Sequence, residues 1–414
     1  MAATKSIKKQ LTLATGALLA HEATAEENEK GLYSPWDVDV GYMRYEEPDY
    51  ITVDTYMAFL SGNISDDDII SLGLVFDTLT GATPTGALIG DEFTSVSGVS
   101  GGGVSTDSGS NGKVSFDDTR LAIDANWTHD WKRLIRSKTG AYVSVEGDYT
   151  AIGGSIAIEK DNEDKSLTYT AAIGGARDKV GQSSEKTPEP LTEIENGVTL
   201  GTGDKNTYDV LFGVTGVINR YTQGMLNFSY SRSLGYHTDP YKIISVADAN
   251  DTELTKIFEK RPDERERYII YSKLTHEVPS SGHHIALSYR FHTDNWDINS
   301  HTLEGSYSWV RENNHLFEPF LRLYHQTAAD FYMRTVEYDG TGSFDTVALP
   351  TYASSDARLA ESINTTLGMK YKYKTSEKHS FDIRAGYYLR DFSDAIISED
   401  GAYFVQFNFG KGFD

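Results

Sequence analysis

Cysteine is absent from the 414-residue sequence, proline occurs only 10 times, and no apolar run approaches the length of a membrane helix. Without cysteine the chain has no disulfide staple, no thiol nucleophile, no Cys-ligated metal and no C-x-x-C-H haem attachment. A membrane helix needs about 18 or more consecutive apolar residues. A membrane crossing by this chain must therefore be made by strands. Positive charge is scarce as well: 38 Lys+Arg against 61 Asp+Glu leaves a net charge of −23. Such an excess of carboxylate argues against nucleic acid as a partner, because phosphates need Lys and Arg to neutralise them.

Positive charge does gather at the N-terminus. Lys5, Lys8 and Lys9 precede the apolar run LTLATGALLA (Leu11 to Ala20), and Ala23-Thr24-Ala25 has the small-x-small form of a signal-peptidase site. These segments come in the right order for a secretory signal peptide over residues 1–25, cleaved after Ala25. The mature chain, 26–414, then carries 35 basic against 60 acidic side chains as a single exported domain.

Aromatic residues are plentiful: 26 Tyr, 18 Phe and 5 Trp. Amphipathic aromatics in this number suit a barrel whose two ends sit at lipid headgroup level. A secreted β-sandwich is the alternative that composition leaves open.

Periodicity separates the two. Ile70, Leu72, Leu74 and Phe76 alternate with Ser71, Gly73, Val75 and Asp77, and Phe381, Ile383, Ala385, Tyr387 and Leu389 alternate with Asp382, Arg384, Gly386, Tyr388 and Arg390. About sixteen such segments occur, at 35–46, 51–61, 69–79, 116–129, 140–149, 151–160, 166–176, 206–217, 222–234, 265–276, 282–292, 297–310, 314–327, 363–374, 379–391 and 401–410. Strands of about 9–11 residues are what a tilted crossing of the hydrocarbon layer requires. The connections sort by parity: every second one is short, and the four long ones, 80–115, 178–205, 235–264 and 328–362, all fall in the other set. A soluble sandwich has no reason to sort its loops this way. An outer-membrane barrel does, with tight periplasmic turns, long extracellular loops and an even strand number. The expected fold is all-β: a transmembrane antiparallel up-and-down barrel of about 16 strands, within a range of 14 to 18. Only half of each strand then faces lipid, which accounts for a mean hydropathy of −0.43.

The segment LVFDTLTGATPTGA (Leu74 to Ala87) breaks this alternation. It is read as a strand whose lumenal face ends at Asp77, followed by a turn built on Thr78, Thr80, Gly81, Thr83 and Pro84 and a Gly/Ser-rich loop containing Gly101 to Gly103. That loop either folds inward as a constriction or remains a loose external loop. GGG here is no phosphate loop, since neither a lysine nor a helix follows it as that motif demands.

The segments DTLTGATPTGA, LGYHTDPYK (Leu234 to Lys242), RPDERER (Arg261 to Arg267), YRFHTDNW (Tyr289 to Trp296), RLYHQTAADFY (Arg322 to Tyr332) and SSDARL (Ser354 to Leu359) together resemble an uncharacterised family of Gram-negative outer-membrane β-barrel proteins. Phe291 and His292 stand where that family commonly has Tyr, and Asn295 where it has Asp. The resemblance implies residence in a Gram-negative outer membrane. It also implies a periplasmic lipoprotein or redox protein as partner.

Sorting the inward-facing charges by strand divides the lumen. Asp37, Asp39, Asp54, Asp77, Asp118, Asp124, Glu146 and Asp148 lie on the early strands. Arg267, Lys273, Arg290, Arg322, Lys370, Lys372, Arg384 and Arg390 lie on the late ones. Arg120 is an exception on the acidic wall, and Glu304, Glu318 and Asp382 on the basic one. Opposed walls of this kind orient and select polar solutes. The alternative is that the charges pair across a filled lumen as a plug. The densest set is Arg322, Tyr324 and Gln326, with Asp330 and Tyr332 just beyond and Arg290 and His292 one strand away. Arg offers a planar fork for carboxylate or phosphate, and Tyr and Gln add neutral hydrogen bonds, so this set suits an anionic solute or a structural ladder.

Catalytic readings are weaker. His292 with Asp294, or His325 with Asp330, supplies half of a dyad without a nucleophile elbow. His283 and His284 are adjacent and so point to opposite faces of a strand, which separates them as metal ligands. The acidic turn Asn63 to Asp68 lacks the spaced Gly and Glu of an EF-hand. No cofactor and no enzymatic activity are expected. The expected function is passage or binding of small polar or charged solutes through a charge-lined lumen. The alternatives are a non-conducting sheath that docks a periplasmic partner, and an outer-membrane enzyme.

Overall fold

The computed structural model describes residues 36–413 apart from 49, 89–94, 97–103, 106–112, 182–186, 195–198, 312–313, 377–378 and 397. The expected leader (1–25) and the GGG segment lie outside the described residues.

Sixteen antiparallel strands close into one barrel: β1 Trp36–Glu47, β2 Ile51–Asn63, β3 Asp68–Pro84, β4 Lys113–Lys132, β5 Ile135–Val145, β6 Tyr149–Asp161, β7 Leu167–Val180, β8 Gly203–Asn219, β9 Thr222–Gly235, β10 Glu264–Val278, β11 His283–Asp294, β12 Asn299–Arg311, β13 His315–Gln326, β14 Ser362–Ser376, β15 His379–Phe392 and β16 Glu399–Phe413. Each pairs with its sequence neighbours, and β1 closes on β16 from Trp36↔Phe413 to Glu46↔Tyr403. Closure leaves no strand edge, the condition for placing backbone amides in hydrocarbon.

The alternation read from the sequence is the alternation of the wall. On β3, Leu74 and Phe76 are 45% and 40% exposed, while Val75 and Asp77 are 5% and 1% exposed. All sixteen strands carry an exposed large apolar residue, from Val40 on β1 to Phe407 on β16. An apolar belt that is continuous around the barrel is untenable in water and fits lipid. Aromatic clusters occur on this outer face, with Tyr42, Tyr56 and Phe407 grouped in one place and His315, Tyr371 and Tyr373 in another.

Three sequence readings need correction. The Thr78, Thr80, Gly81, Thr83 and Pro84 segment is strand, not turn: Thr78 pairs with Asp54 and Thr119, Thr80 with Thr52 and Asp117, and Pro84 with Lys113. β2 holds the segment as far as Gly81 and β4 holds it to Pro84, which overrides the turn preference of Gly and Pro. Gly81 sits at φ 137°, where a Cβ would strike the Tyr50 carbonyl and the Ile51 backbone, so glycine is needed there for close approach. The strand expected at 140–149 is β5, which starts at Ile135 and ends at Val145; Arg136 and Lys138, read as loop, are lumenal residues paired with Glu159 at 2.7 and 3.1 Å. Asp54 faces outward, bonded to Tyr42 at 2.6 Å and Arg44 at 3.3 Å, because Ile51, Val53 and Met57 take the inward positions of β2.

The long loops are not loose. Residues 236–263 form a hairpin, Ile243–Ala247 against Glu253–Phe258, and Val336–Glu337 from the loop between β13 and β14 adds a parallel third strand. The other two long loops join the same hairpin: Leu191 and Thr192 exchange backbone bonds with Phe258, and Thr85 and Leu88 bond to Ile243 and Ser245. Ala87, Ile194, Tyr241, Ile243 and Phe258 pack on Tyr45, Ile51, Val53, Leu79 and Ala402 from the strand ends. The described parts of the four long loops thus build one cap, seated on the β1–β3 side of the mouth. Side chains such as Ile243 and Ile257 are fully buried, and each such burial stabilises the cap by roughly 1.5–3 kcal/mol.

Candidate functional site

Acid predominates on one arc of the lumenal wall and base on the other, with Arg120, Arg136, Lys138 and Lys205 as exceptions on the first and Glu304, Glu318 and Asp382 on the second. Asp77 (β3), Asp118 and Asp124 (β4), Glu146 and Asp148 (between β5 and β6), Asp178 (β7) and Asp209 (β8) face inward on one side. Arg265, Arg267 and Lys273 (β10), Arg290 (β11), Arg322 (β13), Lys370 (β14), Arg384 and Arg390 (β15) face inward on the other. Some charges pair along the wall. Arg120 stands opposite Asp77 in register and forms a buried ion pair with it. Lys205 reaches Asp178 at 2.9 Å, Arg265 is paired with Asp294, and Arg390 bridges Glu47 at 2.7 Å and Asp400. Asn126 donates to Asp124 at 3.0 Å.

Other charges have no ion-pair partner. Arg290 and Arg322 face the lumen and are exposed, and no carboxylate oxygen of a described residue lies within 4.0 Å of either. Water therefore reaches the wall at this level. Arg384 lies over the Phe320 ring at 4.5 Å. Tyr324 donates to Gln326 at 2.6 Å, and Gln326 donates to the Arg358 and Ala360 carbonyls at 2.8 and 2.7 Å, so Gln326 ties the wall to the cap. Asp330 is not on the wall. It lies beyond the end of β13, its backbone N–H on the Trp296 carbonyl and its side chain exposed, because Ala329 and Phe331 turn into an apolar cluster with Trp296.

The half-dyads have structural explanations. Asp294 is taken up by Arg265 and by the Trp296 and Ile298 amides, leaving His292 at 3.9 Å. His325 lies at the outer rim, 3.6 Å from Glu361. His283 bonds the Tyr307 hydroxyl at 2.5 Å on the outer face, away from His284.

Above the lumen, three segments singled out in the sequence converge. Asp239 (from LGYHTDPYK), Arg261 (from RPDERER), and Asp356 and Arg358 (from SSDARL) meet Glu259 in a buried cluster of charge. Arg261 reaches Glu259 at 2.6 Å and Asp356 at 2.7 Å, and Arg358 pairs with Asp356 and lies 3.5 Å from Asp239. The Glu259 carboxylate accepts from the Asp239 amide at 2.6 Å and from the Ser354 hydroxyl. Burial alone would raise the Asp356 carboxyl, but Arg358, Lys242 and Arg261 outweigh it and hold the group well below the usual carboxylate range. Burial raises Glu259, with Arg261 opposing.

A family profile described as "Protein of unknown function (DUF3570)" matches residues 8–409. The chain belongs to the DUF3570 family. No curated protein matches it. Among solved structures, this DUF3570 barrel is similar to a bacterial polysaccharide outer membrane secretin (9% identity, TM-score 0.46, covering 93% of this chain and 100% of the other). It is also similar to a monoaromatic hydrocarbon channel (7%, TM-score 0.41, 92% and 89%) and to a ferric enterobactin receptor variant from Pseudomonas aeruginosa (6%, TM-score 0.42, 93% and 81%). These likenesses extend to barrel architecture and no further.

Two features of the DUF3570 barrel escaped the sequence reading. Asp118, Glu146 and Asp148 were legible as acidic wall, but not as three buried carboxylates whose oxygens lie within 4.8 Å of one another, the group among the described residues with the spacing of metal ligands. Tyr241 of the cap donates its hydroxyl to Asp148 at 2.8 Å. The cap cluster was visible as motifs without a location, because ion pairing between loops about 95 residues apart leaves no periodic trace.

Proposed function

We propose that this barrel passes small polar and charged solutes across the outer membrane of a Gram-negative cell, through a charge-divided lumen gated by the extracellular cap. Exposure of the inward-facing Arg290 and Arg322 carries this reading: two guanidinium groups hydrated inside a closed wall imply a water-filled path beside them. The acidic arc lies across that path, so a solute crosses a transverse field that orients it. The cap seats on one side of the mouth through an apolar cluster, is held together by a set of paired buried charges, and admits solute when that seat loosens. The barrel contributes no chemistry of its own in this reading.

Planar-bilayer recording of the purified barrel tests the proposal. We expect discrete, salt-dependent current, with a larger open fraction in Arg261→Met, where the cap seat is broken. A second reading, a non-conducting sheath that docks a periplasmic lipoprotein or redox protein, is favoured by the paired wall charges Asp77–Arg120 and Asp178–Lys205. Silence of both the native barrel and the cap variant would select it.

A further inference from the structure

We infer that Arg290 and Arg322 form the binding station of the lumen, and that its ligand is a small solute bearing two or more negative charges as carboxylate or phosphate. The inference rests on the passage reading above and names the solute class of that path.

Six inward cations are matched within the wall: Arg120 with Asp77, Arg136 and Lys138 with Glu159, Lys205 with Asp178, Arg265 with Asp294, and Arg390 with Glu47. Among the described residues, Arg267, Lys273, Arg290, Arg322 and Arg384 have no carboxylate within 4.0 Å. All five lie on the β10–β15 arc. Arg290 and Arg322 lie within electrostatic reach of each other, and Arg322 within reach of Arg384. Like charges held this close repel, and an anion between them would relieve that repulsion.

Neutral donors flank Arg290. Arg290 stands in register with Tyr271 on one side and with Thr302 and then Tyr324 on the other. Glu304, opposite Arg322 in register, is the acid nearest the pair along the sheet, and it is shared with Arg384. At the Arg290–Arg322 end positive charge is therefore in excess. Two exposed guanidinium forks on strands separated by one neighbour suit an anion that offers oxygens to both. A single halide satisfies one fork and leaves the other hydrated. The station lies just under the cap, since Gln326, four residues along β13 from Arg322, holds the cap carbonyls. An entering anion would meet it first.

The test uses the full barrel with inorganic phosphate and succinate as probes, which separate phosphate from carboxylate as the preferred chemistry. Reversal potential in a KCl gradient, block of chloride current by each probe, and calorimetric binding of each probe to detergent-solubilised protein are measured for the native barrel, R290Q/R322Q, R290K/R322K and the outward-facing control R232Q. Retention of heat-modifiable mobility on gels shows that each variant is folded. We expect anion preference in the native barrel, block and binding by at least one probe, a tenfold or greater weakening in R290Q/R322Q, an intermediate loss in the lysine pair, which keeps charge without the fork, and no change in R232Q. Conduction with block and binding unaltered in R290Q/R322Q would overturn the station while leaving passage intact. Binding that depends on both arginines in a barrel that never conducts would keep the station and overturn passage. Absence of binding of either probe to the native barrel would overturn the station outright.

Discussion

Arg261 and Asp356 lie 95 residues apart in sequence and 2.7 Å apart in space, both buried, in two different extracellular loops. Their contact joins the β9–β10 loop to the β13–β14 loop above a barrel whose strands, apart from the β1–β16 closure, pair only with sequence neighbours. Breaking one side of a buried pair leaves an uncompensated charge and costs about 3–5 kcal/mol, whereas replacing both sides by apolar groups is often near neutral. Arg261→Met or Asp356→Asn should therefore release the cap without unfolding the barrel. Limited proteolysis should cut within 236–263 and 327–361 while heat-modifiable mobility persists, and Arg261→Met/Asp356→Leu should recover much of the protection. Unchanged proteolysis in the single variants would count against the cap as a separately stabilised unit.

His237 sets a pH window for the same cap. Its Nδ1 lies 2.8 Å from the Gly235 carbonyl, which can only accept, so Nδ1 carries the proton and Nε2 accepts from the Ser233 hydroxyl at 2.7 Å. Burial, then the Lys205, Arg265 and Arg267 charges, pushes the imidazole down to about 3. The unfolded chain binds the proton near pH 6.5 and the folded cap does not, so stability falls as pH drops from about 6.5 toward 3. Asp356 acts in the same direction at lower pH, and Glu259, raised by burial, acts in the opposite one. Amide exchange across 243–258 should accelerate between pH 7 and pH 4 in the native protein and much less in His237→Gln. Equal acceleration in both would remove His237 from the account.

Gly81 fixes the extracellular end of β3. Alanine there meets both a positive φ and the Tyr50 carbonyl, a strain of about 1–3 kcal/mol. Gly81→Ala should lower the yield of folded barrel in refolding from urea, and Gly81→Val should lower it further. Thr80→Val, at a paired strand position, should refold like the native chain.

The two faces of β3 should respond oppositely to charge. Leu74→Arg places a cation on the outward face and costs up to about 2–4 kcal/mol near the membrane midplane. Ser71→Arg places it in the lumen and should be tolerated. Folding titrations into lipid vesicles measure the difference; equal penalties would contradict the assignment of faces.

Much of this was legible in the sequence because a barrel strand is a local object. Leu72, Leu74 and Phe76 against Gly73, Val75 and Asp77 declare two faces within six residues, and loop length sorted by parity declares two ends. The same locality fixed the sign of each arc, since the side of the wall a charge faces follows from its strand phase. Asp54 shows where this fails: at a strand end, apolar Ile51, Val53 and Met57 decided the phase, not the carboxylate. TGATP shows the converse, a turn composition held as strand by β4 along its whole length and by β2 at Thr80 and Gly81.

By itself, then, the sequence determined the closed wall, its apolar exterior and its divided interior, because each follows from period-two pattern and turn length, quantities read over about ten residues. Only the tertiary structure decided what those faces meet. The capture of three other long loops by one hairpin, the convergence of Asp239, Glu259, Arg261, Asp356 and Arg358, and the absence of carboxylate partners for Arg290 and Arg322 among the described residues depend on distances between segments that share no local period. Such contacts are set by packing and electrostatics between distant parts of the chain.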